Sequence, residues 1–309
     1  MTNKIIRIGT RESQLAVWQA TQVKSLLEKY GFASELVYIK SEGDLDLKTP
    51  LYEMGVQGIF TRSLDAALLN DKIDVAVHSM KDVPTQLPKG IIQAAVLKRG
   101  PVNDLLVYKT NGNFLNDTTN YVANIATSSL RRKAQWLNRY PHHQIHNLRG
   151  NVNTRLRKLG EENWDAAIFA QAGLERINLR PENSGVIEWM LPAPAQGAVM
   201  VVCRNEDEYT YKACHHFNDE MTALCAKIER DFLRTLMGGC STPISALAVV
   251  TDNHISFKGN ILSLDGSQKK EIEKIAIISD AGDLGNLAGK ELLVNGGRKI
   301  LEEIQNAVN

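Results

Sequence analysis

Three short stretches of the sequence combine hydroxyl and basic side chains in a way that suits anion binding. They are GTRES at 9–13, HSMKDVP at 78–84 and TSSLRR at 127–132. In each, an apolar strand pattern gives way to a helix pattern. A helix N-terminus presents free backbone N–H groups, and hydroxyl and guanidinium groups add further donors. At any one junction, the residues are better explained by helix capping through Ser13, Asp82 or Ser129 and by a solvated arginine face. Three such junctions together favour an anionic ligand.

Two residues do not suit a plain anion site. Asp82 is an acid among basic side chains, and it would repel an anion unless the ligand also carries N–H donors or becomes cationic during reaction. A structural ion pair with Lys81 or with an arginine is the alternative. Cys240 follows two glycines in MGGCSTP, residues 237–243. A thiol on such a corner could be a nucleophile, a metal ligand or a redox switch.

The composition excludes several classes of protein. With 36 Lys+Arg and 35 Asp+Glu among 309 residues, the net charge of +1 exerts no global attraction on nucleic acid or membrane. Aromatic residues make up 6%, too few for interleaved base stacking. Four cysteines in so long a chain do not make a disulfide framework, and none of them forms a CxxC pair. Because neither a membrane span nor a signal peptide is evident, we expect a cytoplasmic protein. We also expect a monomer, and no metal, since the Cys214-His215-His216 fragment has no matching ligand pair elsewhere in the sequence.

The order of patterns predicts the architecture. Strand and helix patterns alternate through the first two thirds of the chain and restart after KRGPVND, which indicates two βαβ lobes with mostly parallel sheets. LPAPAQGAVMVVCR reads as a hinge that returns the chain to the first lobe. The last ninety residues predict antiparallel strands and a closing helix. We therefore expect an α/β protein whose domains are 1–98 plus 198–216, 103–192, and a small α+β domain at 219–309.

Seven motifs along the chain resemble the porphobilinogen deaminase (hydroxymethylbilane synthase) family, and the resemblance covers essentially the whole length. They are IGTRESQLAVWQA, DVAVHSMKDVPTQLP, IATSSLRRKAQ, LRGNVNTRLRKL, AGLERI, LPAPAQGA and GGCSTPISA. The resemblance implies two lobes like those of type II periplasmic binding proteins around a cleft, followed by a C-terminal domain with a three-stranded antiparallel sheet.

The resemblance also implies an activity. The family joins four porphobilinogen molecules head to tail, releases ammonia at each step and frees the linear tetrapyrrole with water. Each substrate carries two carboxylates, which accounts for an arginine-lined cleft in a nearly neutral chain. The primer is a dipyrromethane cofactor held by a thioether to one cysteine, here Cys240 by motif. Asp82 would be the catalytic carboxylate, bonding pyrrole N–H groups and stabilising cationic azafulvene and pyrrolium species.

Further residues match the family's binding positions. The cofactor positions, besides Cys240, are Ser79, Lys81, Thr127, Ser129, Arg131, Arg132 and Arg149. The substrate positions are Arg11, Ser13, Arg99, Arg155, Arg176, Gln196 and Gly197.

Two departures from the family pattern and one rival interpretation stand beside these expectations. Gln57 and Glu53 occupy positions of a cleft loop where many members have lysine, which removes positive charge. Pro194 and Ala195 replace the more usual Val-Gly of the hinge.

The chief alternative to this activity is a non-catalytic anion-binding protein of the periplasmic-binding type, which explains the arginines but gives Cys240 and Asp82 no role. A nucleic-acid binder is a more distant alternative.

Overall fold

The computed structural model describes residues 4–41, 61–116, 121–237 and 242–308. Within these ranges the chain divides into two compact units. The first unit holds residues up to 41, 61–100 and 197–224, and the second holds the rest, from 101 to 196 and from 225 onward. The three-domain division expected from the sequence stays a prediction.

The strands, numbered in chain order, have the following bounds: β1 Ile6–Thr10, β2 Ser34–Tyr38, β3 Val75–Ser79, β4 Ile91–Val96, β5 Asp104–Tyr108, β6 Asn124–Ala126, β7 Gln144–His146, β8 Ala166–Ala170, β9 Ser184–Ile187, β10 Val199–Arg204, β11 Ile244–Thr251, β12 His254–Leu262 and β13 Lys269–Ile277.

The α-helices have these bounds: α1 Gln14–Lys29, α2 Arg62–Leu69, α3 Leu130–Arg139, α4 Val152–Glu161, α5 Gln171–Glu175, α6 Glu208–His215, α7 Glu220–Thr235, α8 Leu284–Leu292 and α9 Arg298–Val308. No described helix is long and apolar enough to cross a bilayer.

The first unit is built on a mixed sheet with the strand order β2-β1-β3-β10-β4. β1 runs parallel to β2 and β3, whereas β10 lies antiparallel between β3 and β4. The carboxyl ends of β1 to β4 therefore meet at one edge, together with the start of β10. β3 is an almost continuous buried apolar run, as expected for a strand covered on both faces.

The second unit repeats this plan with the order β7-β6-β8-β5-β9. β6 is parallel to β7 and β8, and β5 is antiparallel to β8 and β9. The ends of β6, β7 and β8 thus share an edge with the start of β5. Its C-terminal part contains the antiparallel sheet β11-β12-β13, so the α/β class with a three-stranded C-terminal sheet is confirmed.

A buried ion cluster stabilises the opposite edge of the first sheet. Asp74, 1% exposed, accepts from the backbone N and Nε of Arg7, each at 2.9 Å, and from Nη2 of Arg204 at 3.0 Å. Burial alone would raise the pKa of Asp74, but the bonds from Arg7 and Arg204 outweigh it and hold the pKa well below its usual range. This cluster ties the beginnings of β1 and β3 to the end of β10.

Candidate active site

The carboxyl edge of the first sheet carries the predicted acid together with basic side chains. Arg11 follows β1, and Lys81 and Asp82 lie in a single 3-10 turn, Met80–Asp82, after β3. All three side chains are partly exposed. Since β1 and β3 are parallel neighbours, the structure brings Arg11, Lys81 and Asp82 to the same edge, where open α/β sheets bind ligands.

The hydroxyl of Ser79, at the end of β3, is held by a buried amide side chain. Nε2 of Gln19 on α1 donates to Oγ of Ser79 at 2.8 Å, which fixes the hydroxyl at the end of β3. Ser13 stands at the N-cap position of α1, but its side chain makes no capping bond. The capping explanation weighed for Ser13 from the sequence therefore does not hold.

His78 contributes no positive charge to the edge at neutral pH. Its side chain is 6% exposed, and its Nε2 has no hydrogen-bond partner. Burial, and to a smaller extent the charge of Arg11, lowers the pKa of His78 to about 4. His78 is therefore neutral at this edge, where Arg11 and Lys81 carry positive charge.

Arg99 and Gly197 reach the same edge from two other strands. Arg99 follows β4, and its backbone N donates to Oγ1 of Thr222 at 3.1 Å. Gly197 precedes β10, and its carbonyl accepts from the backbone N of Gly100 at 3.0 Å. Its φ of +85° favours glycine.

In the second unit, a hydroxyl-rich turn connects β6 to α3. Oγ of Ser129 accepts from the backbone N of Arg132 at 3.4 Å, so Ser129 caps α3. The backbone N of Ser129 in turn donates to Oγ1 of Thr127 at 3.2 Å. Both predicted hydroxyl residues thus lie at the carboxyl end of β6, although one Ser129 lone pair is used by the helix.

The two arginines at the start of α3 share one buried carboxylate. Asp104, at the start of β5, is fully buried and accepts from Nη2 of both Arg131 and Arg132 at 2.8 Å. Nε2 of Gln196 donates to the same carboxylate at 2.9 Å. We call Asp104, Arg131, Arg132 and Gln196 the Asp104 cluster. The structure thus joins three predicted site residues through an acid that the sequence did not single out.

The two guanidiniums of the cluster differ in what they have left to donate. Arg132 uses Nε and Nη2 on Asp104 and Nη1 on the carbonyl of Ile168. Arg131 donates Nη1 to the carbonyl of Leu191, while its Nε, in a side chain 6% exposed, has no partner. Two cations against one carboxylate leave one net positive charge, and the Arg131 Nε is a buried donor that lacks an acceptor. Both features suit an anionic ligand.

Replacing Asp104 by asparagine should destabilise the second unit strongly. The change leaves two buried guanidiniums without their common counter-ion, so we expect a loss of about 3–5 kcal/mol in the free energy of unfolding. Equilibrium urea unfolding measures this loss. Asp165→Asn is the matched control, because its carboxylate accepts from the backbone N of Asn124 and the hydroxyl of Tyr121 instead. Equal losses in the free energy of unfolding of the two variants would contradict the prediction that the Asp104 cluster stabilises the second unit.

The remaining predicted arginines follow β7 and β8. Arg149, 3% exposed, lies between β7 and α4, and Nε of Arg155 on α4 donates to the carbonyl of Gly150 at 2.7 Å. Arg176 directly follows α5, and burial lowers its pKa to about 10, so it stays cationic at neutral pH. These residues belong to the same sheet edge as Thr127 and Ser129.

The segment that leads into β10 contains a strained residue. Ala195 has a φ of +61°, a left-handed conformation that costs a residue with a Cβ about 1–2 kcal/mol relative to glycine. This explains physically why glycine is usual at this position in the resembling family. Its neighbour Gln196 donates Nε2 to the carbonyl of Val102 at 2.7 Å as well as to Asp104.

Cys240 lies outside the described residues, as do Gln57 and Glu53. The chain on either side of it is described. α7 ends at Thr235, and β11 begins at Ile244. The other three cysteines, Cys203, Cys214 and Cys225, are buried thiols. Among the described residues, no group of three or more His, Cys, Asp or Glu side chains is arranged to hold a metal ion.

Sequence reasoning missed Gln19 and Asp104. Gln19 looks like one more polar position of an amphipathic helix, and nothing in its spacing reveals its bond to Ser79. Asp104 offered a weak signal, because an acid that opens the apolar strand DLLVY is either a turn residue or a buried partner for a cation.

Models of two domains match the chain over most of its length. Residues 6–212 match the porphobilinogen deaminase dipyrromethane cofactor binding domain, and residues 223–294 match the porphobilinogen deaminase C-terminal domain. Among solved structures, the methionine binding protein MetQ covers 72% of this chain and 93% of its own, at 15% identity and a TM-score of 0.45. A likeness at this level says nothing about a ligand of this chain.

Curated relatives are similar from end to end. The porphobilinogen deaminase of Pelobacter propionicus is 40% identical over 98% of this chain and 98% of its own length. That of Geobacter metallireducens is 40% identical over 98% and 96%. That of Chlorobium phaeobacteroides is 39% identical over 99% of each. With both domain models matched and full-length relatives at this identity, the chain belongs to the porphobilinogen deaminase family.

Proposed function

We propose that the chain is a transferase that condenses porphobilinogen head to tail, with loss of ammonia, on a dipyrromethane primer attached to Cys240. Four substrate molecules are joined before water releases the linear tetrapyrrole. The observation that carries the proposal is the placement of Asp82, a partly exposed carboxylate at the sheet edge that also carries Arg11 and Lys81. An acid in that position suits a substrate with carboxylates, N–H groups and a developing positive charge.

The residues of the second unit suit the dipyrromethane group. Its acetate and propionate carboxylates are acceptors, and the Asp104 cluster offers one net positive charge and the unsatisfied Nε of Arg131. We assign carboxylate binding to Arg131 and Arg149, with Thr127 and Ser129 as further contacts of the cofactor. From the motifs we also assign to the cofactor Ser79 and Lys81, which belong to the first unit. When bound, the group supplies the nucleophilic pyrrole carbon to which the first substrate is joined.

Arg132 has a different part in this proposal from its neighbour. Its Nε, Nη1 and Nη2 all donate to protein acceptors, so it acts mainly by holding Asp104 in place and by adding charge to the site. This refines the expectation from the sequence, which gave Arg131 and Arg132 the same role.

Asp82 is the group that we assign to proton transfer and to stabilising the positive charge that develops during the reaction. In each step the aminomethyl C–N bond of porphobilinogen breaks and ammonia leaves with the proton that the amino group has taken up. One proton is released when the new C–C bond forms, and Asp82 would accept it. A carboxylate close to the pyrrole nitrogen accepts its N–H hydrogen bond and stabilises the positive charge left on the substrate ring. Neutral His78 adds no competing charge from beneath the edge.

The substrate carboxylates require cations that stay charged. We assign them to Arg11, Arg99, Arg155 and Arg176, with Ser13, Gln196 and Gly197 as neighbouring contacts. Guanidinium groups suit this purpose because each binds a carboxylate through two parallel hydrogen bonds. We also infer a cytoplasmic monomer with porphobilinogen as its small-molecule partner, which rests on the sequence.

Intact-mass measurement of the wild-type protein tests the proposed function. Protein from cells that supply porphobilinogen should carry a covalent increment of two pyrrole units. Limiting porphobilinogen should then add one ring at a time, because the condensation is stepwise. An unmodified mass that does not change with added substrate contradicts the proposal and favours a non-catalytic anion-binding protein.

A further inference from the structure

A glutamate outside the predicted site has a fully buried carboxyl group in the second unit. Glu229 lies on α7, and its side chain is 0% exposed. A buried carboxylate is costly unless its oxygens are hydrogen-bonded. Neither the sequence motifs nor the proposed chemistry uses this residue.

The two oxygens of Glu229 bond two different parts of the chain. Oε2 accepts from the backbone N of Ala195 at 2.6 Å, and Oε1 accepts from the backbone N of Ala248 at 2.8 Å. Ala195 belongs to the segment before β10, whereas Ala248 lies on β11. We call these two bonds the Glu229 bridge. Bonds from backbone N–H groups to an ionised carboxylate are about twice as strong as neutral ones.

One end of the bridge leads to the arginines. Ala195 is held in a left-handed conformation, and the next residue, Gln196, donates to Asp104. Asp104 in turn orients Arg131 and Arg132. A displacement of Ala195 would therefore move Gln196 and change the acceptors available to both guanidiniums.

The other end of the bridge leads toward the cysteine. β11 begins at Ile244, four positions after Cys240 in the sequence. The outer edge of β11 is bonded by the backbone N of Ala246 to the carbonyl of Pro192 at 3.2 Å, and by Ala248 to Glu229. Nε2 of Gln135 on α3 adds a bond to Oγ of Ser245 at 3.0 Å. The strand after the cysteine is thus fixed to the same segment and helix that orient the arginines.

We propose that Glu229 is a positioning residue that holds β11, the strand following Cys240, in a fixed position relative to residues 191–196, which end at Gln196 of the Asp104 cluster. The proposal rests on the proposed function, because it makes the strand that follows the attachment residue and the arginines that bind the carboxylates of the primer keep their spacing through all steps. The room for the growing pyrrole product must then come from motion in another part of the protein, because β11 and residues 191–196 do not move relative to each other.

Glu229→Gln tests the bridge with almost no change in volume. Glutamine presents one oxygen and one NH2 group, so one of the two backbone N–H groups loses its acceptor. We expect kcat per folded molecule to fall roughly ten-fold, since a misplacement of 1 Å away from the reacting atoms can cost about 10²-fold and the loss of one hydrogen bond should displace the segment by less. The KM for porphobilinogen should change less than about three-fold, and intact mass should still show the two-pyrrole increment.

Asp231→Asn is the matched control. Asp231 is a nearly buried carboxylate on the same helix, but it bonds Nζ of Lys227 at 2.6 Å and Nη2 of Arg234 at 2.8 Å. Its variant should keep kcat within about two-fold when both variants are compared at the same distance below their melting temperatures. Equal kcat losses in the two variants, or an unchanged kcat in Glu229→Gln, overturn the proposal.

Hydrogen exchange of the wild-type protein tests the bridge even if the variant does not fold. The amides of Ala195 and Ala248 should exchange as slowly as amides paired within β11 and β12. Fast exchange of either amide overturns the proposal. If the wild type exchanges slowly at both amides but does not consume porphobilinogen, the proposed function fails while the bridge stands.

Discussion

Cys240→Ser is expected to remove the two-pyrrole increment from the intact mass and to reduce turnover about a thousand-fold or more. A serine hydroxyl is a far weaker nucleophile than a thiolate at neutral pH, so the thioether cannot be replaced by an equivalent bond. Without a covalent primer, the first condensation has no anchored acceptor. Intact-mass measurement and release of the linear tetrapyrrole from porphobilinogen follow the two effects separately.

Cys225→Ala provides the control for this variant. Cys225 is a buried thiol on α7, the helix that precedes the Cys240 segment. Its removal should lower stability slightly because of the lost packing, but the two-pyrrole increment should remain. An increment that persists in Cys240→Ser and disappears in Cys225→Ala would show that the primer is attached to Cys225, which contradicts the prediction.

Asp82→Asn is expected to reduce kcat about 10²- to 10⁴-fold, the usual range for loss of a positioned acid–base group. Asparagine keeps the size of the side chain but loses the negative charge that stabilises the cationic ring and the capacity to accept a proton. The primer should remain attached when the protein is loaded with preformed tetrapyrrole, because Asp82 does not hold it by charge. Single-turnover mass measurements would show slow addition of the first ring.

Glu12→Gln controls for a general change of charge at this edge. Glu12 stands next to Arg11 in the turn before α1, and its side chain is exposed. The variant loses the same charge as Asp82→Asn, but in water, so kcat should stay within about two-fold. Near-normal turnover of Asp82→Asn would remove Asp82 from the mechanism.

The local elements of the fold were predictable because their residues decide them. The apolar runs of β1 and β3 and the helical spacing in α1 and α3 predict the observed elements. Strand direction was not predictable, because period-2 patterning is the same whichever way a strand runs. Only the structure shows that β5 and β10 lie antiparallel among otherwise parallel strands.

The same distinction holds for the site. Motifs identified the arginines, the hydroxyl residues and Asp82, and the structure places the described ones at the sheet edges. The motifs could not show that Arg131 and Arg132 share Asp104, since a contact between residues 104 and 131 leaves no trace in local spacing. Nor could they show that the N-cap position of Ser13 lacks a capping bond while Ser129 has one.

The position of β10 has a consequence for the order in which the protein folds as it is synthesised. β10 pairs with both β3 and β4, so the first sheet remains in two pieces until residue 204 has left the ribosome. The second sheet is built from consecutive strands of the sequence, β5 to β9, and its last strand ends at residue 187. Although the first unit begins the chain, the sheet of the second unit is therefore the one that can be completed first during translation.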